Sequence, residues 1–168
     1  TSVFTGDTTP DGRFVVRSEN RNNVEIYGLE AGLYWAVMEE LRLIAVFNYT
    51  HGEEQDDNEL SFPADRIPPF NGQVGMEYFF NSDWRIEPYI MFASRQDRLS
   101  PRDVEDPRIN PLGTASWATL NLVVDWQGTD ALQLGLRLEN LADSAYREHG
   151  SGIDAPGRNI GLWVNFNF

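Results

Sequence analysis

Asn159-Ile160-Gly161-Leu162-Trp163-Val164-Asn165-Phe166-Asn167-Phe168 alternates without a break. Ile160, Leu162, Val164, Phe166 and Phe168 take one face; Asn159, Gly161, Trp163, Asn165 and Asn167 take the other. A period of two is that of a β-strand with one apolar side. The last residue is aromatic, and chain ends in water usually fray. In lipid every backbone N–H and C=O has to be paired, so a closed sheet has reason to finish on a strand.

The same pattern recurs upstream. Leu132, Leu134, Leu136 and Leu138 alternate with Gln133, Gly135, Arg137 and Glu139, and Leu120, Leu122, Val124 and Trp126 with Thr119, Asn121, Val123 and Asp125. Further strands are expected from about Val24 to Val37, from Leu41 to Thr50, from Gln73 to Phe80 and from Trp84 to Arg95, with Pro88 disturbing the last. Residues 1–23 read as a long loop or ragged strand end. Short turns at Met38-Glu39-Glu40, Asn81-Ser82-Asp83 and Gln127-Gly128-Thr129-Asp130 alternate with long polar loops: His51 to about Pro69, Gln96 to about Ser116, and Asn140 to Gly157. About seven strands of roughly ten residues result, longer than the usual five or six and close to what a tilted strand needs to cross a bilayer.

Composition narrows the classes. A mean hydropathy of -0.42 and the lack of a long apolar run exclude a transmembrane helix but not a transmembrane strand. The formal charge of -13 argues against nucleic acid, whose phosphates need a basic surface. The acidic blocks Glu53-Glu54, Asp56-Asp57, Glu59 and Asp103, Glu105, Asp106 read as solvated loops. With no cysteine there is no disulfide or thiol chemistry. No Ser-His-Asp set or Gly-rich phosphate loop is present, so neither a catalytic site nor a cofactor is expected. His149, with Glu148 and Asp154, or His51 with the Glu53 block, offers metal-ligand types without ligand spacing, so no metal site is assigned.

Alternation does not say which face is wet. Aromatic residues beside the short turns (Trp35, Phe80, Trp84, Trp126, Phe168), an apolar face almost free of charge, and a polar face carrying Arg42, Glu77, Arg85, Glu87, Asp125, Arg137 and Glu139 favour lipid outside and a hydrated lumen inside. A secreted soluble β-sheet binding module with one solvated face remains the alternative on pattern alone.

Asn140-Leu141-Ala142-Asp143, then Tyr146, then Pro156-Gly157-Arg158 and a terminal alternating strand resemble the C-terminal signature of TonB-dependent outer-membrane receptors. Tyr27-Gly28-Leu29-Glu30 and Ile67-Pro68-Pro69 are similar to upstream features of that family. The resemblance implies an all-β fold, here a segment of a transmembrane antiparallel up-and-down β-barrel of about 22 strands. Residues 1–168 would be its C-terminal part, the N-terminal plug and earlier strands lying outside this chain. It implies active uptake of a scarce nutrient, such as a ferric siderophore, a metal complex or cobalamin, across the outer membrane of a Gram-negative bacterium.

Implied partners are outer-membrane lipid, an inner-membrane energy-coupling complex reached through the plug, and a small-molecule or metal-chelate ligand. Val164, Phe166 and Phe168 resemble the terminal signal read by the barrel-assembly machinery. Arg147, His149 and Arg158 are candidate ligand contacts in the last loop. A non-transporting outer-membrane barrel used for adhesion or structure is the second alternative.

Overall fold

The computed structural model describes residues 2–18, 23–55 and 59–167. The elements in order are β1 (Ser2–Thr8), β2 (Phe14–Ser18), β3 (Asn23–Met38), β4 (Leu41–Gln55), β5 (Ser61–Pro63), β6 (Asn71–Phe79), β7 (Trp84–Ala93), α1 (Pro101–Glu105), β8 (Trp117–Thr129), β9 (Leu132–Glu139) and β10 (Asn159–Phe166). The main sheet runs β10-β9-β8-β7-β6-β4-β3, all antiparallel, with β5 added to β4. Strands adjacent in the chain are adjacent in space, as an up-and-down meander requires. The fold is all-β.

Register joins the separate alternations into one face. Trp35 lies opposite Leu43, and Leu43 opposite Met76. Leu41, Tyr78, Ile86, Val124, Leu136 and Leu162 form a row across six strands. The large side chains of this face are exposed or half-exposed, from Leu136 and Val124 to Leu162 at 78% and Ile160 at 69%. The opposite face buries Thr119, Asn121 and Asp125, Asn121 at 3%. A water-soluble sheet buries its apolar side; here the burial is inverted. Among the described residues the buried apolar side chains, such as Ala45, Ala93 and Val123, do not amount to an oily core.

Two aromatic belts bound the apolar face. Trp84 and Trp126 pair at the short-turn end, their ring centroids 6.0 Å apart. At the long-loop end Phe47, Phe70 and Phe92 cluster at 5.8 to 6.2 Å, over Gly72. Only the first belt was expected from sequence. Trp84 and Phe92 are eight residues apart on β7, about 27 Å along the strand. A tilt of about 40° brings that to about 20 Å, close to the apolar band of a membrane barrel.

Two sequence expectations are corrected. Residues 2–18, expected as part of a long loop or ragged strand end, hold β1 and β2 paired as a separate two-stranded hairpin around the turn at Pro10 to Gly12. The segment after Thr50 is not yet loop: β4 continues to Gln55 because β3 and the short β5 supply partners for its backbone. The seven strands expected form the main path of the sheet, and among the described residues β1, β2 and β5 add to them. Pro88 leaves a gap in the β6–β7 ladder, since it has no N–H to give, yet the pairing resumes in the same register on either side. β3 and β4 have 16 and 15 residues, against 9 in β6 and 10 in β7, so the sheet is taller on its β3 side.

Candidate functional site

The three long connections emerge from one end of the sheet and pack on one another. The first is the segment 64–70 after β5, the second is 94–116 and the third is 140–158.

The second is shaped by Ser100-Pro101-Arg102-Asp103. Ser100 Oγ accepts from the Asp103 N–H at 2.9 Å while an Asp103 carboxylate oxygen accepts from the Ser100 N–H at 3.1 Å. With Pro101 in the first turn, this capping box starts α1. Asp103 is 0% exposed and Asp106 half-buried, so of this acidic block only Glu105 is solvated as expected. Glu54 is likewise buried, on β4, with Arg102 at 3.6 Å. Asp56 and Asp57 lie outside the described residues.

Arginines tie the first connection to the second. Arg66 pairs with Asp106 and lies 3.4 Å from Asp103 Oδ1. Arg102 lies 3.3 Å from Asp65, and the Gln96 side chain donates to the Ile67 carbonyl at 2.7 Å. Arg108 holds the Asp106 carboxyl well below the usual carboxylate range, through its side chain first and its backbone N–H second.

The third connection contains the Asn-Leu-Ala-Asp and Pro-Gly-Arg motifs, and its internal bonds show what they do. Asn140 sits at φ +50, where asparagine is tolerated. Its side chain accepts from Ser144 N–H at 2.8 Å and donates to the carbonyls of Ser144 and Pro156 at 2.9 and 3.3 Å. Asp143, at φ +55, accepts from the Arg158 N–H at 3.1 Å and from its guanidinium at 3.3 Å. Those two bonds, backbone first, lower the Asp143 pKa. Leu141 N–H donates to the Leu120 carbonyl at 2.8 Å. The two motifs thus pin both ends of the loop together. Tyr146 packs on Trp117 at 4.3 Å, and burial pushes its phenol up. Arg147 pairs with Asp154 at 2.8 Å.

The histidines are not brought into one site. His51 stacks on Tyr27 at 4.9 Å and meets the Arg98 guanidinium at 2.7 Å. His149 Nδ1 lies 3.0 Å from Thr114 Oγ1. Among the described residues no group of three or more His, Cys, Asp or Glu side chains is arranged to hold a metal. Below the loops a cavity of about 490 Å3 is lined by Val46, Gln73, Met91, Trp117, Glu148 and His149 among others.

Toward the short turns the polar face carries an ionic cluster. Arg85 reaches Glu77 at 2.6 Å, Glu87 at 2.9 Å and Asp125 at 2.5 Å, and Arg42 adds to Glu77 at 3.6 Å. Charges grouped on the sheltered side of a sheet whose exposed side is apolar line a lumen. The TonB dependent receptor-like β-barrel family matches residues 1–141.

This chain belongs to that family.

Solved structures agree on the fold. The copper transporter OprC superposes with a TM-score of 0.74 at 22% identity, over 86% of this chain and 23% of its own. The FrpB iron transporter from Neisseria meningitidis gives 0.69 at 15%, over 96% and 26%. The ferric yersiniabactin uptake receptor FyuA from Yersinia pestis gives 0.65 at 19%, over 89% and 24%. The chain spans about a quarter of the length of each of these. No curated protein matches it.

Sequence reasoning misread Asp103 as solvated and missed Arg66 and Thr114. The Ser100-Pro101-x-Asp103 pattern would have disclosed the first, being a capping signature with proline at the first helical position. Nothing local marks the other two, which matter only because distant loops converge. Phe168, part of the expected assembly signal, lies outside the described residues; Val164 and Phe166 are on the exposed apolar face of β10.

Proposed function

We propose that this chain is the C-terminal part of the barrel of an outer-membrane receptor of a Gram-negative bacterium, which takes up a scarce small-molecule or metal-chelate nutrient. The observation that carries the reading is the inverted sheet: an exposed apolar face between two aromatic belts, backed by a polar face with the Arg85 cluster. Family membership supports it. Copper and iron transporters among the similar folds favour a metal-bearing cargo. In this reading the three packed loops face the medium and contribute to ligand capture, with Arg147, His149 and Arg158 as candidate contacts. Transport of this kind needs no covalent chemistry, so the receptor is not an enzyme.

Energy comes from an inner-membrane complex acting through an N-terminal plug encoded upstream, against which the Arg85 cluster faces. Val164, Phe166 and Phe168 present the terminal signal to the assembly machinery. The test is growth of a strain deleted for the full gene on defined iron, copper, cobalamin and other nutrient sources, together with uptake of the labelled compound. Loss of uptake of one nutrient class, restored by the gene, is expected. Unchanged uptake of all, with retained outer-membrane location, overturns transport in favour of an adhesive or structural barrel.

A further inference from the structure

We propose that the third connection, 140–158, is a proton-released lid over the cavity beneath the loops, with His149 as the group that senses the proton. The inference rests on the transport reading only in calling that cavity a ligand chamber.

The way the lid is held motivates it. The first and second connections are bound together by many ionic contacts, as the pairing of Arg66 with Asp106 and of Arg102 with Asp65 shows. From residues 144–155 at the tip of the third, among the described residues, a single side-chain hydrogen bond reaches another connection: His149 to Thr114. The remaining contacts there are packing. The backbone of Gly150, at φ +77, lies against Arg66: an added Cβ would come 3.2 Å from the guanidinium, a tight contact. Gly152 lies as close to the stem of Arg108, and Tyr146 covers Trp117. A latch with one polar tooth responds to the state of that tooth.

His149 is poorly placed to carry charge. Its Nε2 is buried without a hydrogen-bond partner. As a neutral ring it satisfies Thr114 through Nδ1 and leaves one weak group unmet. As imidazolium it would have two N–H groups to satisfy and a full charge to bury. The charged groups around it are Asp103 from α1, which attracts that charge, Arg66 from the first connection, which repels it, and the adjoining Glu148. Asp103 is itself engaged, one oxygen accepting from Ser100 and the other 3.4 Å from Arg66, so its attraction is shared. Burial outweighs it, and the imidazole pKa lies below its ordinary value.

The sign follows. A group whose pKa is lower docked than free holds the lid fully above its free value, about 6.5, and releases it as the pH falls toward the docked value. Every pH unit between the two values changes the docking equilibrium about tenfold. Opening removes His149 and Glu148 from the cavity wall, so acid at the cell surface would favour ligand entry or release.

The chain has no cysteine, which permits paired spin labels. Leu112→Cys and Ile153→Cys place them on exposed side chains of the second and third connections. In the full-length receptor, with any other cysteine changed to serine and held in liposomes, the inter-label distance is read by pulsed electron resonance between about pH 8 and pH 5. A short, narrow distance that lengthens and broadens in acid, and recovers on neutralisation, is expected. His149→Gln, which keeps a bond to Thr114 without titrating, should show the short distance throughout. A distance that ignores pH, or a shift that persists in His149→Gln, overturns the proposal. If the variant does not dock, the wild-type imidazole is titrated by NMR: a midpoint at or above the ordinary value overturns it and a lower one supports it. None of these readings involves a nutrient, so failure of the transport assignment leaves them intact.

Discussion

Single residues here are constrained mainly by what they hold in place. Asp143 carries a negative charge only to receive the Arg158 backbone and side chain. Its folded pKa is depressed, so the stability it contributes is present above the ordinary carboxylate value and is lost as the pH falls through the folded one. The Arg158 amide should therefore be protected from exchange at neutral pH, its protection relative to a free amide falling as the pH drops below about 3.8, and Asp143→Asn should have lost that protection already at pH 7. Arg85 is the opposite case, one cation serving three carboxylates. Arg85→Met leaves Glu77, Glu87 and Asp125 facing one another and should lower the stability of the folded barrel by about 2 kcal/mol or more, read as the urea midpoint of unfolding in lipid. An unchanged midpoint would mean water and counterions already satisfy those acids.

At the level of elements, the β9–β10 pair shows how side-chain size sets the spacing of strands. Gly135 lies opposite Trp163, and the indole lies so flat on it that an added Cβ would come 1.7 Å from the ring. Gly135→Ala should cost about 1 to 3 kcal/mol by overpacking, and adding Trp163→Ala should recover part of that loss. Additive effects in this cycle would show that the indole swings clear at no cost. Strands such as β9 and β10 were legible from their residues because a period of two needs no tertiary information. β5 was not, since Ser61–Pro63 is too short for a pattern and is a strand only because β4 extends beside it. The loop architecture was illegible for a similar reason: Asp103 and Glu54 look like solvated acids until Arg66 and Arg102 arrive from elsewhere in the chain.

For the whole molecule, the decisive property is which side of the sheet meets lipid. Leu136 sits in the middle of the exposed apolar face, between Val124 and Leu162. Leu136→Arg should cost about 2 to 4 kcal/mol near the midplane and reduce the amount assembled in the outer membrane, whereas Arg137→Leu on the lumen side should not. Equal assembly of both would place the leucine face in water or protein. Sequence pattern reached the all-β class and the alternation of turns and loops; alternation alone could not orient the faces, because a soluble and a membrane barrel share one pattern with inside and outside exchanged, and it was the aromatics beside the short turns and the charges of the polar face that put lipid outside.

The uneven strand heights bear on how such a receptor meets its surroundings. A bilayer crossing uses about 9 to 11 residues, and β3 and β4 have 16 and 15. The surplus of about five residues is about 15 Å of strand, shortened by tilt, standing clear of the lipid on one side only. The loop-side edge of this segment is then cut obliquely, like the tip of a quill. The tall side, ending near Gln55, is the part of this segment that stands furthest from the midplane.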